Sequence, residues 1–275
     1  MKFDAAVRLA ADILGQIRFA VLFSLPDVLR AIYASPSLIF NPTALSRISM
    51  AKVWIPFGNG GDINSRPDKE KLITPHATGV VLDIGAGHGY TAKYLDRAKV
   101  SKYVALEPNT LMHEAIRERA KEFGFTEADD SLLILSCGAE DTASILSSTD
   151  GQVQTIISIL TLCSVPSPKQ VIHSLASDVL APGGVLLFHE HVLHPRSDVA
   201  WWQSFWTPIW GKVFDGCCLN RPTHKLIEGA VDENGESIWK EGSIWAPFDL
   251  VEGNEETLFW RRFGQFVKKG ELKLL

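Results

Sequence analysis

The chain has 275 residues, 46% hydrophobic and 21% charged, which suits one large α/β domain with additions and excludes a globally disordered chain. With 32 acidic against 27 basic residues the formal net charge is -5, which argues against a nucleic-acid partner held by whole-surface attraction. Cys137, Cys163, Cys217 and Cys218 form no CxxC and no tetrahedral Cys/His spacing, so they read as free thiols in a reducing, cytoplasmic compartment, and no metal is expected.

In chain order, Phe3 to Tyr33 reads as mainly helical, with a break or kink near Pro26. FAVLFSL, Phe19 to Leu25, is apolar but bracketed by Arg18, Asp27 and Arg30, short of the roughly 20 apolar residues a spanning helix needs. It reads as an amphipathic or buried helix that packs on the domain or covers a ligand mouth; no stable membrane insertion and no cleavable leader are expected. A short helix is expected from Thr43, and PFGNGGDINSRP, Pro56 to Pro67, reads as a loop. Residues 1–75 are thus expected to form a helical cap and loop ahead of a domain at 76–275.

From Val80 strands and helices alternate. VVLDI, YVALE (Tyr103 to Glu107), SLLILS (Ser131 to Ser136), VQTIISIL (Val153 to Leu160) and VLLFHE (Val185 to Glu190) are apolar strand runs. Tyr90 to Asp96, Thr110 to Phe123 and Lys169 to Leu180 read as helical between them. This order predicts a mostly parallel α/β sheet with right-handed crossovers and helices on both faces. A Trp-rich helical insertion is expected at about 195–232, with Pro208 at a joint. Two tail strands, near Ser237 to Trp245 and Leu258 to Val267, are expected to close the sheet as an antiparallel pair.

The chemistry begins at DIGAGHGY, where Gly85, Gly87 and Gly89 follow the first strand. Such a turn exposes backbone N–H groups and lets a ligand approach the main chain. Its spacing is GxGxG, not the GxGxxG of dinucleotide folds. Glu107 ends the second strand, where a carboxylate accepts hydrogen bonds from both ribose hydroxyls of an adenosine, a geometry that also serves NAD. In CGAED, after the third strand, Ala139 leaves room for an adenine ring and Glu140 is placed to address its polar edge. Asp83 is placed either to anchor the turn or to meet a cofactor ammonium through water.

Together these residues resemble the class I methyltransferases that bind S-adenosylmethionine and release S-adenosylhomocysteine, over Val80 to about Glu190. The resemblance implies their Rossmann-like sheet and a cofactor site of Asp83, Gly85, Ala86, Gly87, Glu107, Pro108, Ala139 and Glu140. LTLCSV, Leu160 to Val165, matches the segment that borders the methyl group, which adds Thr161 and Cys163. The Asn/Asp-Pro-Pro-Tyr/Phe motif of amino methyltransferases is absent from it.

FHEHVLHPRSDVAWWQSFWTPIWGKVFDGCCLNR, Phe188 to Arg221, is similar to the region after strand five in the family whose animal members methylate alkyl thiols. Those members carry an N-terminal membrane anchor, from which this charged, interrupted start departs. The whole chain is also similar to fungal thiol methyltransferases of secondary metabolism and detoxification that act on reduced epidithiodiketopiperazines such as dithiol gliotoxin. The resemblance implies a small-molecule thiol or dithiol partner. Trp202, Trp206 and Trp210 are placed to wall a flat acceptor. His189 or His191, one expected inward and the other outward, is placed as a base, and Asp215 either orients a histidine or caps a helix. Alignment and exclusion of water without a dedicated base is the other route. An O-methyltransferase of a small aromatic metabolite is the alternative function; a nicotinamide oxidoreductase and a noncatalytic binding protein are the alternatives from other classes.

Overall fold

The computed structural model describes residues 3–247 and 256–270, with side chains from residue 6 onward. The end of the expected 76–275 unit lies outside the described residues. Five parallel strands come first: β1 (Gly79–Ile84), β2 (Val100–Leu106), β3 (Leu132–Leu135), β4 (Val153–Ile159) and β5 (Leu180–His191). The tail adds β6 (Trp239–Trp245) and β7 (Arg261–Lys268), both antiparallel to their neighbours. The order across the sheet is β3-β2-β1-β4-β5-β7-β6, so the chain runs outward from β1 to β3 and then crosses back to β4. Parallel pairing puts the carboxyl ends of β1, β2, β3, β4 and β5 on one edge. The reversal between β1 and β4 opens a crevice there, where open α/β sheets bind ligands.

The pleat explains the core. Leu82 and Ile84 of β1 join Val104, Ile156, Leu186 and Phe188 on one face. Val81 joins Tyr103, Ala105, Ile157 and Leu187 on the other. α5 (Thr142–Ser148) and α6 (Pro168–Ser174), the latter continued by a π turn at Leu175–Val179, cover the first face through Ile145, Val171, Ile172 and Leu175. α3 (Arg66–Ile73) and α4 (His113–Glu122) cover the second through Leu72, Ile73, Ile116 and Ala120.

A third cluster lies over the carboxyl edge, where α1 (Phe3–Ala34), α2 (Pro42–Asn64) and α7 (Ser197–Val213) meet. α1 contributes Leu9, Ile13 and Ala20, α2 contributes Val53, and α7 contributes Val199, Trp206 and Trp210. The helical spacing of 199, 203, 206 and 210 makes one buried stripe. Gln203 sits inside it because its amide is satisfied: Nε2 donates to Val192 O and Leu258 O, and Oε1 accepts from His194 N.

Three expectations about these helices are corrected. α1 runs through Pro26 without a break. Just before it, Ser24 donates to Ala20 O at 2.8 Å and accepts from Ser49 of α2, so tertiary contact holds the turn that proline weakens. α7 likewise continues through Pro208. The largest correction is Pro56 to Asn64, which is the second half of a 23-residue helix and not a loop. Packing explains it: a Cβ on Gly58 would lie 2.7 Å from the Tyr90 ring and 3.0 Å from Trp54 Nε1. A glycine is needed for α2 to press against the turn after β1. The stretch after that turn is shorter than expected, a 3-10 turn at Tyr90–Tyr94. The paired tail strands form as anticipated. Among the described residues no helix is long and apolar enough to cross a membrane.

Candidate active site

The turn after β1 is set by left-handed glycines. Gly85 has φ +63 and Gly87 φ +58. A Cβ on Gly85 would run into the Thr161 side chain, and one on Gly87 would lie 2.5 Å from Trp54 Nε1. Both glycines line a cavity of about 410 Å³, a size suited to a small ligand. Glu107 fastens this turn to the end of β2: Oε2 accepts from Gly87 N and Oε1 from Asn109 N, each at 2.8 Å. Burial pushes its carboxyl up to about 7, against the pull of the Asn109 and Gly87 amides. The Asn109 side chain donates to Arg47 O, tying α2 to the same corner.

Of the expected cofactor residues, Gly85, Gly87, Glu107, Pro108, Ala139, Glu140 and Thr161 all line this cavity. Ala139 is buried, while Glu140 is exposed at the rim. Asp83 and Ala86 lie behind the turn, against a 40 Å³ space. Asp83 accepts from Tyr103 OH at 2.8 Å, and burial raises it to about 6. Asp83 thus ties β1 to β2 beneath the turn.

A second cavity of about 450 Å³ adjoins the first. The two share Met50, Trp54, Leu160, Ser164 and Phe214 as wall. Leu160, the residue after β4, has φ +56, a conformation that costs an ordinary residue about 1–2 kcal/mol. It is held by its N–H donating to His189 O at 2.8 Å. Glu190 shapes the same segment: Oε1 accepts from Ser158 Oγ, Thr161 N and Leu162 N. Burial raises this carboxyl to about 7.

The expected split of the histidines is corrected: two residues apart on β5, His189 and His191 share one face of the strand, and their position along it separates them. His189 stacks on Phe263 at 4.0 Å, its ring nitrogens have no hydrogen-bond partner among the described residues, and it lines none of these cavities. Burial holds it well below the ordinary imidazole range. His191 lines the second cavity together with Cys217 and Trp210. Its Nε2 lies 3.5 Å from Cys217 Sγ and 3.2 Å from Cys218 O. Cys217 donates to Cys163 at 3.5 Å. That bond holds Cys163 well below the usual thiol range despite its burial. Burial opposes a charge on His191, but the Cys163 sulfur beside it outweighs this and lifts the ring to about 9.

The remaining expected residues are dispersed. Cys163 lines neither large cavity but forms a buried cluster with His191 and Cys217, their ligand atoms all within 4.8 Å. That proximity, among residues far apart in sequence, was not legible in the spacing. Of the three tryptophans, Trp210 reaches the cavity wall. Trp206 is buried in the stripe, and Trp202 packs beside Trp201 and Phe205. Asp215, in a left-handed turn with φ +45, lines the first cavity and not that of His191.

Sequence reasoning missed Trp54, which borders both large cavities and the small one behind the turn. It also missed the buried network beneath that turn. Asp62 of α2 accepts from Lys69 Nζ at 3.2 Å, Tyr94 OH at 2.7 Å and Lys93 Nζ. Burial alone would raise Asp62, but these partners hold it below the ordinary carboxylate value. The signal was present as Asp and Lys spaced seven apart, hidden by the glycine-rich composition of the stretch.

A sheet with this order, a glycine turn after β1 and an acidic residue closing β2 define a Rossmann-like fold built around a nucleoside-bearing ligand. The chain belongs to the methyltransferase-domain family, whose sequence profile matches residues 66–238. It is similar to thiol S-methyltransferase TMT1B of Homo sapiens, 45% identical over 82 residues, covering 30% of this chain and 33% of that protein. It is also similar to thiol S-methyltransferase TMT1B of Rattus norvegicus, 38% identical over 169 residues, covering 61% of this chain and 66% of the relative. The matches thus span between a third and about two thirds of these curated relatives' length. Among solved structures, an O-methyltransferase family protein from Burkholderia thailandensis shares the fold with a TM-score of 0.52 at 14% identity, over 84% of this chain and 60% of that one.

Proposed function

We propose that the protein transfers a methyl group from S-adenosylmethionine to the sulfur of a small-molecule thiol. The observation that carries the reading is the pair of adjoining cavities: one has a carboxylate and a glycine cradle suited to a nucleoside, and the other ends on His191 and Cys217. The donor set fits the cofactor. Glu107 has two lone-pair-bearing oxygens, each with one backbone N–H, which leaves acceptor capacity for ribose hydroxyls. Gly85, Gly87 and Ala139 leave space where a larger side chain would intrude, and Pro108, Glu140 and Thr161 complete the wall. When bound, the cofactor supplies an electrophilic methyl group on a sulfonium.

The chain's own residues then have separable tasks. Leu160 and Ser164, shared by both cavities, set the boundary across which an acceptor faces the donor. Trp54, Trp210 and Phe214 offer an apolar wall that keeps water from the acceptor. A thiol is a weak nucleophile until ionised. His191 lines the cavity and lies within 4.8 Å of the Cys163 sulfur, so a proton leaving the acceptor passes to the ring, and the ring's own proton passes to Cys163. The resulting imidazolium sits beside the acceptor thiolate. His189, stacked in the core, has a packing role.

The names of the relatives support sulfur as the acceptor atom. The finer proposal is a dithiol, a reduced epidithiodiketopiperazine such as dithiol gliotoxin, methylated on both sulfurs, because a cavity of about 450 Å³ with aromatic walls accommodates a compact, rigid acceptor. The test is product mass spectrometry with S-adenosylmethionine and a matched panel of thiols, phenols and amines, with the thiols kept reduced. S-methylated products are expected. Phenol or amine methylation without turnover of any thiol would reject the reading.

A further inference from the structure

The wall of the second cavity carries a pair of thiols whose arrangement exceeds what proton transfer needs. Cys217 faces the cavity, whereas Cys163 is sealed behind it with 1% exposure. Their sulfurs are 3.5 Å apart, and His191 Nε2 is 3.5 Å from Cys217 Sγ. The two loops that carry them are joined by Cys218 N donating to Cys163 O at 3.0 Å. Asp215 and Gly216, with φ +45 and +83, form the left-handed turn that leads into Cys217. All four cysteines are free.

We propose that Cys217 and Cys163 act as attacking and resolving thiols that reduce a low-molecular-weight disulfide held in this cavity, releasing the thiol that methyl transfer consumes. The proposal rests on reading the cavity as the acceptor site. In the first step Cys217 passes its proton along its hydrogen bond to the Cys163 sulfur, and Cys217 Sγ attacks one sulfur of the bound disulfide. A Cys217–substrate disulfide forms, the substrate S–S bond breaks, and the departing thiolate takes the proton of the His191 imidazolium. In the second step Cys163 returns its proton to His191 and its Sγ attacks Cys217 Sγ, forming the Cys163–Cys217 disulfide and expelling the second substrate thiolate, which takes that proton from His191. The substrate gains two electrons and two protons; the electrons come from the dithiol and the protons from Cys217 and His191. The outer cysteine has access to the cavity, and the inner one lies 3.5 Å from it, within reach of a disulfide formed on Cys217.

The experiment uses full-length protein with Cys137→Ala and Cys218→Ala, reduced, freed of reductant and mixed anaerobically with hydroxyethyl disulfide. Released thiol is quantified, and peptide mapping locates the new bond. The expected result is a Cys163–Cys217 disulfide and two released thiols per chain. Cys163→Ser is expected to stop at a mixed disulfide on Cys217 with one thiol released, and Cys217→Ser to release none. Mapping of the parent protein does not depend on how well these variants fold. A parent that stalls at the mixed disulfide overturns the proposal, as does a stoichiometric divalent cation retained on Cys163, Cys217 and His191. Addition of S-adenosylmethionine separates the two readings: exchange without S-methylation upholds the dithiol chemistry and rejects methyl transfer to thiols, whereas S-methylation of added free thiol without exchange does the reverse.

Discussion

Replacing Glu107 with Gln tests the cofactor corner with little change in shape. The carboxylate accepts one backbone N–H on each oxygen, from Gly87 and Asn109. Glutamine keeps one acceptor oxygen and turns an N–H₂ group toward the other backbone donor, so one bond is lost and two donors face each other. It also removes the charge that ribose hydroxyls would use. A hydrogen bond to a charged group is worth about 1.5–3 kcal/mol, which converts to a loss of affinity of roughly ten- to hundredfold. Calorimetric titration with S-adenosylhomocysteine measures it. The pH dependence sharpens the test. Glu107 of the free protein titrates at about 7, and the hydroxyls favour its ionised form. Affinity should therefore rise as pH increases toward 7 and level off above it, and Glu107→Gln should lose that rise. For folding of the free protein the sign is opposite: a raised carboxyl contributes stability that is full below its unfolded value and is lost as pH rises through about 7. Unchanged affinity and an unchanged pH profile in the variant would refute the assignment of Glu107 to the nucleoside.

Other perturbations separate support from chemistry. Asp62→Asn removes the charge that faces buried Lys69 and should destabilise the fold by about 3–5 kcal/mol in denaturant titration. Because Asp62 is depressed, its contribution is present above the ordinary carboxylate value and lost as pH falls through the folded one, so the variant should lack this part of acid destabilisation. Gly87→Ala forces a side chain into a left-handed position against Trp54, and should weaken S-adenosylhomocysteine binding in calorimetry while circular dichroism still reports a folded sheet. His189→Phe preserves the stack on Phe263 and should retain turnover with a stability change under about 1.5 kcal/mol, whereas His191→Ala should lower kcat with thiol acceptors at neutral pH, with a smaller loss at higher pH.

The parts of the site fixed by parallel strand ends were legible in the sequence. DIGAGHG and the Glu107 of LEP had to fall on one edge once β1 and β2 were paired in parallel, and they do. The Rossmann-like sheet and its antiparallel tail followed from the same alternation. Tertiary packing decided the rest. Pro56, Gly58, Gly60 and Gly61 carry the local signal of a loop, yet they form a helix because Gly58 lets α2 seat against Tyr90, which brings in Trp54 and Asp62. His189 and His191, two residues apart, share a face of β5, and the sequence does not tell which of them reaches an open cavity. Phe263, the β7 residue paired with His189, covers that ring, whereas His191 at the end of the strand meets the cavity. Cys163 and Cys217 lie in separate loops whose approach no spacing rule predicts.

The central claim is that the cavity of Glu107 holds the nucleoside while the cavity of His191 holds the acceptor sulfur. A crystal structure with S-adenosylhomocysteine and a reduced thiol acceptor, with the acceptor sulfur located by anomalous scattering, measures this directly. The expected result is ribose hydroxyls on Glu107 and the acceptor sulfur beside His191, facing the cofactor sulfur across Leu160 and Ser164. A nucleoside bound away from Glu107, or an acceptor sulfur seated outside the His191 cavity in a complex competent for turnover, would contradict it.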